Sequence, residues 1–284
     1  MRDDRCMAKY ATMNEAIEDL IDIGVNLTGR SFKKDIPELI ERAQSAGVKQ
    51  MVVTGTNVEH SESALALCEQ WPGVLFATSG MHPHHAKDWS ETAGQKVYQL
   101  AQQQAVRAIG ECGLDYNRNF SSPEDQRHCF ESQLELAEDL KLPVFMHQRD
   151  AHKDFYRIIN RWRDKLSDGV VHCFTGTVDE AKAYLDLDLK IGVTGWLCDE
   201  RRGQSLQEAV QYIPLDKIML ETDAPYLLPR DLPSGISSQL RERRNEPMVL
   251  PHVCSALARY KRDTDTHVAR ITTQLAREFF SIDA

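Results

Sequence analysis

Short apolar runs alternate with longer amphipathic segments from residue 20 to the end of the chain, and this alternation restricts the fold more than any other feature. The runs are rich in Val, Ile and Leu without regular polar alternation, which is typical of parallel strands covered on both faces. The predicted strands are 20–25, 48–54, 73–79, 105–110, 142–147, 169–173, 189–194 and 218–222.

The segments between these strands have helical spacing and helix-end signals. The segment 122–140, for example, opens with Ser122 before Pro123, followed by acidic residues. Eight βα units in a chain of 284 residues predict an α/β fold of the TIM-type, a (β/α)8 barrel. A doubly wound sheet is the competing fold, but no GxGxxG or GxxxxGK[ST] motif follows the first strand.

Composition and chain ends set the domain organisation. We predict a loose extension over residues 1–19 and one barrel domain over residues 20–284. The extension has mixed charge and no apolar segment, so it does not resemble a secretory signal. The chain contains no run of about 18 apolar residues that would span a membrane. Seven cysteines without a CxxC pair indicate reduced thiols, and we expect a cytoplasmic monomer.

The net charge of −9 limits how the protein can bind nucleic acid. An acidic protein does not attract an anionic polymer through its overall field, so local cations or metal ions must capture such a substrate. The charge therefore argues against a protein that coats DNA. It has little bearing on a nuclease that holds a strand end on metal ions.

Ionisable side chains follow the apolar runs at the predicted carboxyl ends of four strands. They are Glu111, His147, His172 and Asp223. The carboxyl ends of the strands meet at one mouth of such a barrel, where the chemistry of these enzymes takes place. Imidazole and carboxylate together suit Zn²⁺, Mn²⁺ or Mg²⁺, and Asp223 is a candidate to orient or deprotonate a water molecule.

Other interpretations of these strand ends remain open. A single histidine at a strand end is more often a hydrogen-bonded side chain than a ligand. Cys112 and Cys173 each follow a proposed ligand and are conceivable nucleophiles, although buried packing suits them better. No lysine ends a predicted strand, which argues against Schiff-base chemistry.

Several motifs together resemble the TatD family of metal-dependent deoxyribonucleases. They are DIGVNL, GMHPHH, AIGECGLDYNR, PVFMHQRDA, HCFTGT, ETDAPYLLP and RRNEP, in that order from about residue 22 onward. The resemblance implies a barrel of the amidohydrolase type that hydrolyses phosphodiester bonds with a divalent metal. For one branch of the family it implies 3′→5′ exonuclease action on the ends of single-stranded DNA and RNA, in DNA repair or nucleic-acid turnover.

The resemblance also assigns roles to residues. Family metal positions correspond to Glu111, His147, His172 and Asp223, with Mg²⁺ favoured over Mn²⁺ and Zn²⁺, and His82 corresponds to a contact with the substrate phosphate. Most members end the first strand with His-x-His, but here Gly24 and Asn26 stand at those positions. We therefore expect one well-formed metal site and a second, weakened one.

Further residues are candidates for substrate contact. Thr175 lies in a glycine-containing turn whose backbone N–H groups can meet a phosphate, and Arg230 and Arg244 are candidates to grip one. Trp196 and Tyr226 can stack on a base or simply cap the barrel.

Two other functions compete with a nuclease. The first is a barrel metallohydrolase that cleaves an amide or ester such as a D-aminoacyl-tRNA. The second is a non-catalytic scaffold without metal, for which the only support is the pair Gly24 and Asn26.

Overall fold

The computed structural model describes residues 19–240 and 244–283. These residues form one eight-stranded sheet in which every strand pairs in parallel with the next along the chain. The strands are β1 (Leu20–Val25), β2 (Val48–Val53), β3 (Leu75–Ser79), β4 (Val106–Asp115), β5 (Val144–Arg149), β6 (Gly169–His172), β7 (Lys190–Val193) and β8 (Ile218–Leu220). Residues 1–18 of the predicted extension lie outside the described residues, and the single domain over 20–284 stays a prediction.

The sheet closes between β1 and the residues that follow β8. Val25 forms a parallel bridge with Ala224. The N–H of Asn26 donates to the Ala224 carbonyl at 2.8 Å, and the N–H of Asp223 donates to the Gly24 carbonyl at 2.9 Å. The predicted (β/α)8 barrel is therefore confirmed. Gly24, Asn26 and Asp223 lie at the seam, which is the junction where β1 meets the residues after β8.

Helices alternate with the strands as predicted. They are α1 (Ile36–Ser45), α2 (Val58–Gln70), α3 (Glu91–Ala101), α4 (Pro123–Leu140), α5 (His152–Trp162), α6 (Val178–Asp186), α7 (Gln204–Tyr212), α8 (Ser234–Ser237), α9 (Leu250–Lys261) and α10 (Asp265–Phe280). The Ser122 side chain caps α4 by accepting the N–H of Asp125, as its sequence indicates. Helix α3 was not among the predicted helices.

A compact apolar cluster occupies the barrel interior beneath the mouth. Side chains from seven of the strands meet Phe279 and Phe280 of α10, and the strand members include Ile21, Ile23 and Phe145. The ring of Phe145 stacks on His172 with 4.3 Å between centroids. The interior cluster therefore forms the floor of the candidate site and restricts the polar groups to the carboxyl ends of the strands.

Several strand boundaries differ from the prediction by two residues or more, and those at the ends of β4 and β8 concern the candidate site. β4 does not end at Gly110 but continues to Asp115, so Glu111 lies within the strand. The pairing register with β5 shifts between Ile109 and Cys112, which lets the strand continue through the bulge. β8 ends at Leu220, two residues before the predicted end.

Candidate metal centre and active site

One carboxylate oxygen lies at the centre of the polar groups in the mouth. Glu111 Oε1 is 3.3 Å from His82 Nε2, 3.2 Å from His147 Nδ1 and 2.8 Å from His172 Nε2. Glu111 is only 6% exposed. The structure thus brings three of the four predicted ligands together, and it adds His82 to them.

Local structure aims His82 at Glu111. His82 precedes the turn Pro83–Asp88, and its Nδ1 accepts the N–H of His84 at 3.0 Å. The other ring nitrogen, Nε2, is therefore the one that faces Glu111. His82 Nε2 or Nδ1, a Glu111 oxygen and a His147 nitrogen form a group whose donor atoms lie within 4.8 Å of one another.

A second buried carboxylate supports the other side of this cluster. Asp115 Oδ2 lies 2.9 Å from His84 Nε2 and 3.5 Å from His147 Nε2. Its Oδ1 accepts the N–H groups of Asn117 and Arg118 at 2.9 and 3.0 Å. These backbone bonds fix the carboxylate, so Asp115 can hold the orientation of the imidazoles around it.

Glu221, which was not among the predicted site residues, is fully buried beside His172. Its Oε2 lies 3.2 Å from His172 Nδ1, and its Oε1 accepts the N–H of Cys173. Glu221 lies within the predicted strand 218–222 and follows three apolar residues, so it was counted as part of the strand and not as a site residue. An ionisable residue at the end of that run was the available signal.

Two glycines make the space that Glu221 occupies. A Cβ atom on Gly24 would lie 2.4 Å from Glu221 Oε2, and one on Gly192 would lie 2.4 Å from Oε1. No side chain fits at either position without displacing the carboxylate. Gly24 therefore makes room for the Glu221 carboxylate, and it offers no imidazole at the position where the resemblance implies one.

Asp223 lies at the seam and is hydrogen-bonded to Asn26, the other residue that stands where the resemblance implies a histidine. Its Oδ1 accepts the Asn26 side-chain N–H at 2.9 Å. Burial raises the pKa of Asp223 to about 7, with His172 opposing and Glu111 adding to the rise. Asp223 and His172 are both outside the group of His82, Glu111 and His147 that the 4.8 Å spacing defines.

The carboxylate of Asp22 joins β1 to the residues after β8 by hydrogen bonds. It accepts the N–H of Thr222 at 2.9 Å and also the Thr222 hydroxyl. Burial raises the pKa of Asp22 to about 7, against these hydrogen bonds. Its oxygens are thus engaged in closing β1 against the end of β8.

The donor set fits a divalent cation. Burial alone would raise the pKa of Glu111, but His82 and His172 hold it well below its usual range, so the carboxylate is charged. The buried His147 Nε2 makes no hydrogen bond within the part of the chain that the structure describes. That nitrogen lies 3.5 Å from Asp115 Oδ2, whereas His147 Nδ1 faces Glu111. A charged carboxylate with several buried imidazoles around it is the donor set of a metal centre.

The remaining predicted contacts lie outside this cluster. Thr175 is exposed on the loop after β6, and Arg230 is exposed on the segment after β8. Arg244 forms ion pairs with Asp35 and Glu246 and is only 11% exposed. Its guanidinium is thus engaged within the fold, which differs from the predicted phosphate-gripping arginine.

Exposed aromatic side chains flank the mouth. Phe120, on the loop after β4, is 58% exposed and contacts His84 edge to face at 4.8 Å. Tyr226 is 61% exposed, and its N–H donates to the Asp223 carbonyl. Trp196, also predicted, instead carries the guanidinium of Arg202 over its ring at 4.4 Å. Phe120 and Tyr226 are therefore the aromatic surfaces available to a ligand.

Comparison with known proteins identifies the family. The chain matches the family model for TatD related DNase over residues 21–281. It is 48% identical over 263 residues to the 3′-5′ ssDNA/RNA exonuclease TatD of Musicola paradisiaca, covering 93% of this chain and 98% of the relative. The corresponding protein of Erwinia tasmaniensis is also 48% identical, with 93% and 100% coverage.

Solved structures agree with this assignment. A TatD homologue from Escherichia coli superposes with a TM-score of 0.85 at 27% identity, covering 94% of this chain and 100% of the homologue. A TatD family hydrolase from Entamoeba histolytica gives a TM-score of 0.83 at 25% identity, with 94% and 99% coverage. The chain therefore belongs to the TatD related DNase family of TIM-barrel, metal-dependent hydrolases.

Proposed function

We propose that the protein is a divalent-metal-dependent 3′→5′ exonuclease that hydrolyses single-stranded DNA and RNA. The observation that carries this proposal is the convergence of three imidazoles on Glu111 at the barrel mouth. The names of the relatives at 48% identity support the substrate and the polarity. A role in DNA repair or nucleic-acid turnover follows from that substrate.

The metal ligands that we propose are Glu111, His147, His172 and Asp223, with His82 as either a further ligand or a phosphate contact. Mg²⁺ is the ion we favour because carboxylates suit hard ions, whereas the imidazoles also accommodate Mn²⁺ or Zn²⁺. Because Asn26 binds Asp223 instead of offering an imidazole, we propose one strong site and one weak site. A divalent ion at such a site polarises a phosphoryl oxygen and lowers the pKa of water.

The residues of the chain then act on the terminal phosphodiester. Asp223 orients the attacking water and takes its proton as the new P–O bond forms. The bond from phosphorus to the 3′ oxygen breaks, that oxygen takes up a proton, and a nucleoside 5′-monophosphate leaves. His82 Nε2 stabilises charge on the phosphoryl oxygens, and Arg230 and Thr175 are candidates to hold the neighbouring phosphate.

The surroundings of the mouth fit a single strand better than a duplex. Phe120, which contacts His84, and Tyr226, whose N–H donates to the Asp223 carbonyl, present exposed rings next to residues of the site. Unpaired bases stack on such rings regardless of sequence, whereas paired bases are already stacked on each other.

We also propose that the protein is a cytoplasmic monomer. The six cysteines of the described residues are free, which suits a reducing compartment. No helix within residues 19–240 and 244–283 has the length and hydropathy to cross a bilayer.

Incubation of the protein with Mg²⁺ and a 5′-labelled single-stranded oligonucleotide tests the proposal. We expect a ladder that shortens by single nucleotides, and immediate release of a mononucleotide when the label is at the 3′ end. Glu111→Gln and chelation with EDTA should each abolish the ladder, whereas Glu91→Gln on exposed α3 should not. Turnover of an acylated tRNA without shortening of the oligonucleotide contradicts the proposal.

A further inference from the structure

We propose that Cys198, Asp231 and His252 form a second metal site, separate from the centre at Glu111, that takes a thiophilic divalent ion such as Zn²⁺. Each residue offers one donor atom, and the three donor atoms lie within 4.8 Å of one another. His252 Nε2 and Asp231 Oδ1 are 2.7 Å apart. Tetrahedral Zn²⁺ spaces its ligand atoms about 3 to 4 Å apart, so small rotations of these side chains accommodate the ion.

The three ligands come from separate parts of the barrel. Cys198 ends the turn Gly195–Cys198 after β7, Asp231 lies in the loop after β8, and His252 lies in the first turn of α9. An ion held by all three would join the loops after β7 and β8. The proposed site would therefore stabilise one side of the barrel mouth.

The burial of the ligands suits a site that is open on one side. Cys198 is 8% exposed and the His252 side chain 11%, whereas the Asp231 side chain is 46% exposed. A cavity of about 380 Å³ adjoins Cys198 and Asp231 and is also lined by Glu200 and Gln207. The ion can enter through this cavity, and a water molecule there can serve as the fourth ligand.

Ion binding would change the state of the thiol. Burial raises the pKa of Cys198 to about 12, so the sulfur carries its proton at neutral pH. On binding, the S–H bond breaks, the sulfur electron pair forms the bond to the ion, and the proton passes to solvent. The thiolate and the Asp231 carboxylate together neutralise the two positive charges of the ion.

Arg230 and Arg259 also line this cavity, and Arg259 is the one paired with Asp231, its Nη2 lying 3.6 Å from Asp231 Oδ2. It faces the other oxygen of that carboxylate and leaves Oδ1 directed at His252. A hydrogen-bonded triad without an ion is the alternative arrangement of the same side chains. The two differ in whether the sulfur binds a metal.

The donor chemistry separates this site from the centre at Glu111. Thiolate sulfur favours Zn²⁺ and Co²⁺ and disfavours Mg²⁺. The ligands proposed around Glu111 supply only nitrogen and oxygen. A spectroscopic signal from a thiolate–metal bond therefore reports on the proposed site.

Titration of the metal-free full-length protein with Co²⁺ tests the proposal. We expect a thiolate-to-cobalt charge-transfer absorption in the near ultraviolet, with the intensity of one thiolate–cobalt bond per chain, that excess Mg²⁺ does not remove. Cys198→Ser should abolish this absorption, and His252→Ala should weaken Co²⁺ binding about 10-fold or more. Exonuclease activity in Mg²⁺ should be unchanged in Cys198→Ser.

Matched variants exclude other thiols and other His–Asp pairs. Cys68→Ser removes a buried thiol that lacks these neighbours, and Cys173→Ser removes the thiol beside His172; both should retain the absorption. His267→Ala breaks a surface pair with Asp263 and should also retain it. No absorption from the wild-type protein, or an absorption that persists in Cys198→Ser, overturns the proposal even if another variant fails to fold.

Discussion

At the scale of single residues, two buried carboxylates hold the two nitrogens of one imidazole. His172 Nε2 lies 2.8 Å from Glu111, and His172 Nδ1 lies 3.2 Å from Glu221. A ring whose Nδ1–H donates to a carboxylate presents the lone pair of Nε2 to a metal. Glu221 is therefore a positioning residue that fixes the tautomer of a proposed ligand without touching the substrate.

Glu221→Gln tests this role. The amide preserves the size of the side chain but removes its charge, so we expect the apparent Mg²⁺ affinity to fall about 10- to 100-fold. Activity should recover at high Mg²⁺, and the melting temperature should change little. Unchanged Mg²⁺ dependence together with lost activity would mean that Glu221 acts in another way; Glu91→Gln on exposed α3 is the control.

The exposed rings beside the mouth give a second prediction at this scale. Stacking of a base on an aromatic ring contributes about 1–3 kcal/mol, so Phe120→Ala or Tyr226→Ala should raise KM for a single-stranded oligonucleotide about 5- to 100-fold. The value of kcat should change less, since neither ring lies among the proposed ligands. Tyr212→Ala is the matched control, because Tyr212 is 65% exposed at the end of α7. An equal effect of all three variants contradicts the prediction.

At the scale of elements, β4 and β5 approach each other so closely that only glycine fits at the contact. A Cβ on Gly113, at φ +130°, would lie 2.0 Å from the His147 carbonyl oxygen, and Gly110 meets Phe145 in a similar way. This approach carries Glu111 and His147 to within 3.2 Å of each other. The glycines of β4 thus determine the ligand spacing.

Gly113→Ala should therefore destabilise the fold by more than its backbone conformation alone requires. We expect a loss of about 2–4 kcal/mol of unfolding free energy, from strain at positive φ plus the clash with β5. Gly73→Ala is the matched control, because Gly73 has φ +78° with nothing within 4 Å of its would-be Cβ. That variant should lose about 1 kcal/mol. Denaturant unfolding measures both, and equal losses would contradict a steric role for β4.

The sequence predicted elements better than contacts. Eight apolar runs and their helices were sufficient for the barrel, and Glu111, His147 and His172 were predictable because each follows or ends such a run. Glu221 also ends such a run and could have been predicted as ionisable, but the space that Gly24 and Gly192 leave for its carboxylate could not, because these glycines come from distant strands. The ion pairs of Arg244 with Asp35 and Glu246 could not be predicted either. The sequence of a loop does not show whether an arginine in it is paired or free.

At the scale of the whole molecule, the protein is acidic, and yet its site must bind an anionic polymer. The net charge is −9, and the polar groups are confined to one mouth above an apolar barrel interior. Positive charge must therefore be supplied locally, by metal ions and by exposed side chains such as Arg230 on the segment after β8. Such a protein should contact few phosphates, at a strand end, instead of tracking along the backbone.

The salt dependence of binding measures how many phosphates are contacted. The logarithm of affinity for single strands falls by about 0.7 per neutralised phosphate for each unit of log salt. If two or three phosphates are held, the slope for Glu111→Gln binding a single-stranded oligonucleotide at fixed Mg²⁺ should be about −1.4 to −2.1 in KCl. Lengthening the oligonucleotide beyond a few nucleotides should leave this slope unchanged, because the added phosphates lie outside the mouth. A slope that steepens with length would instead indicate an extended cationic track, and that would contradict binding confined to a strand end.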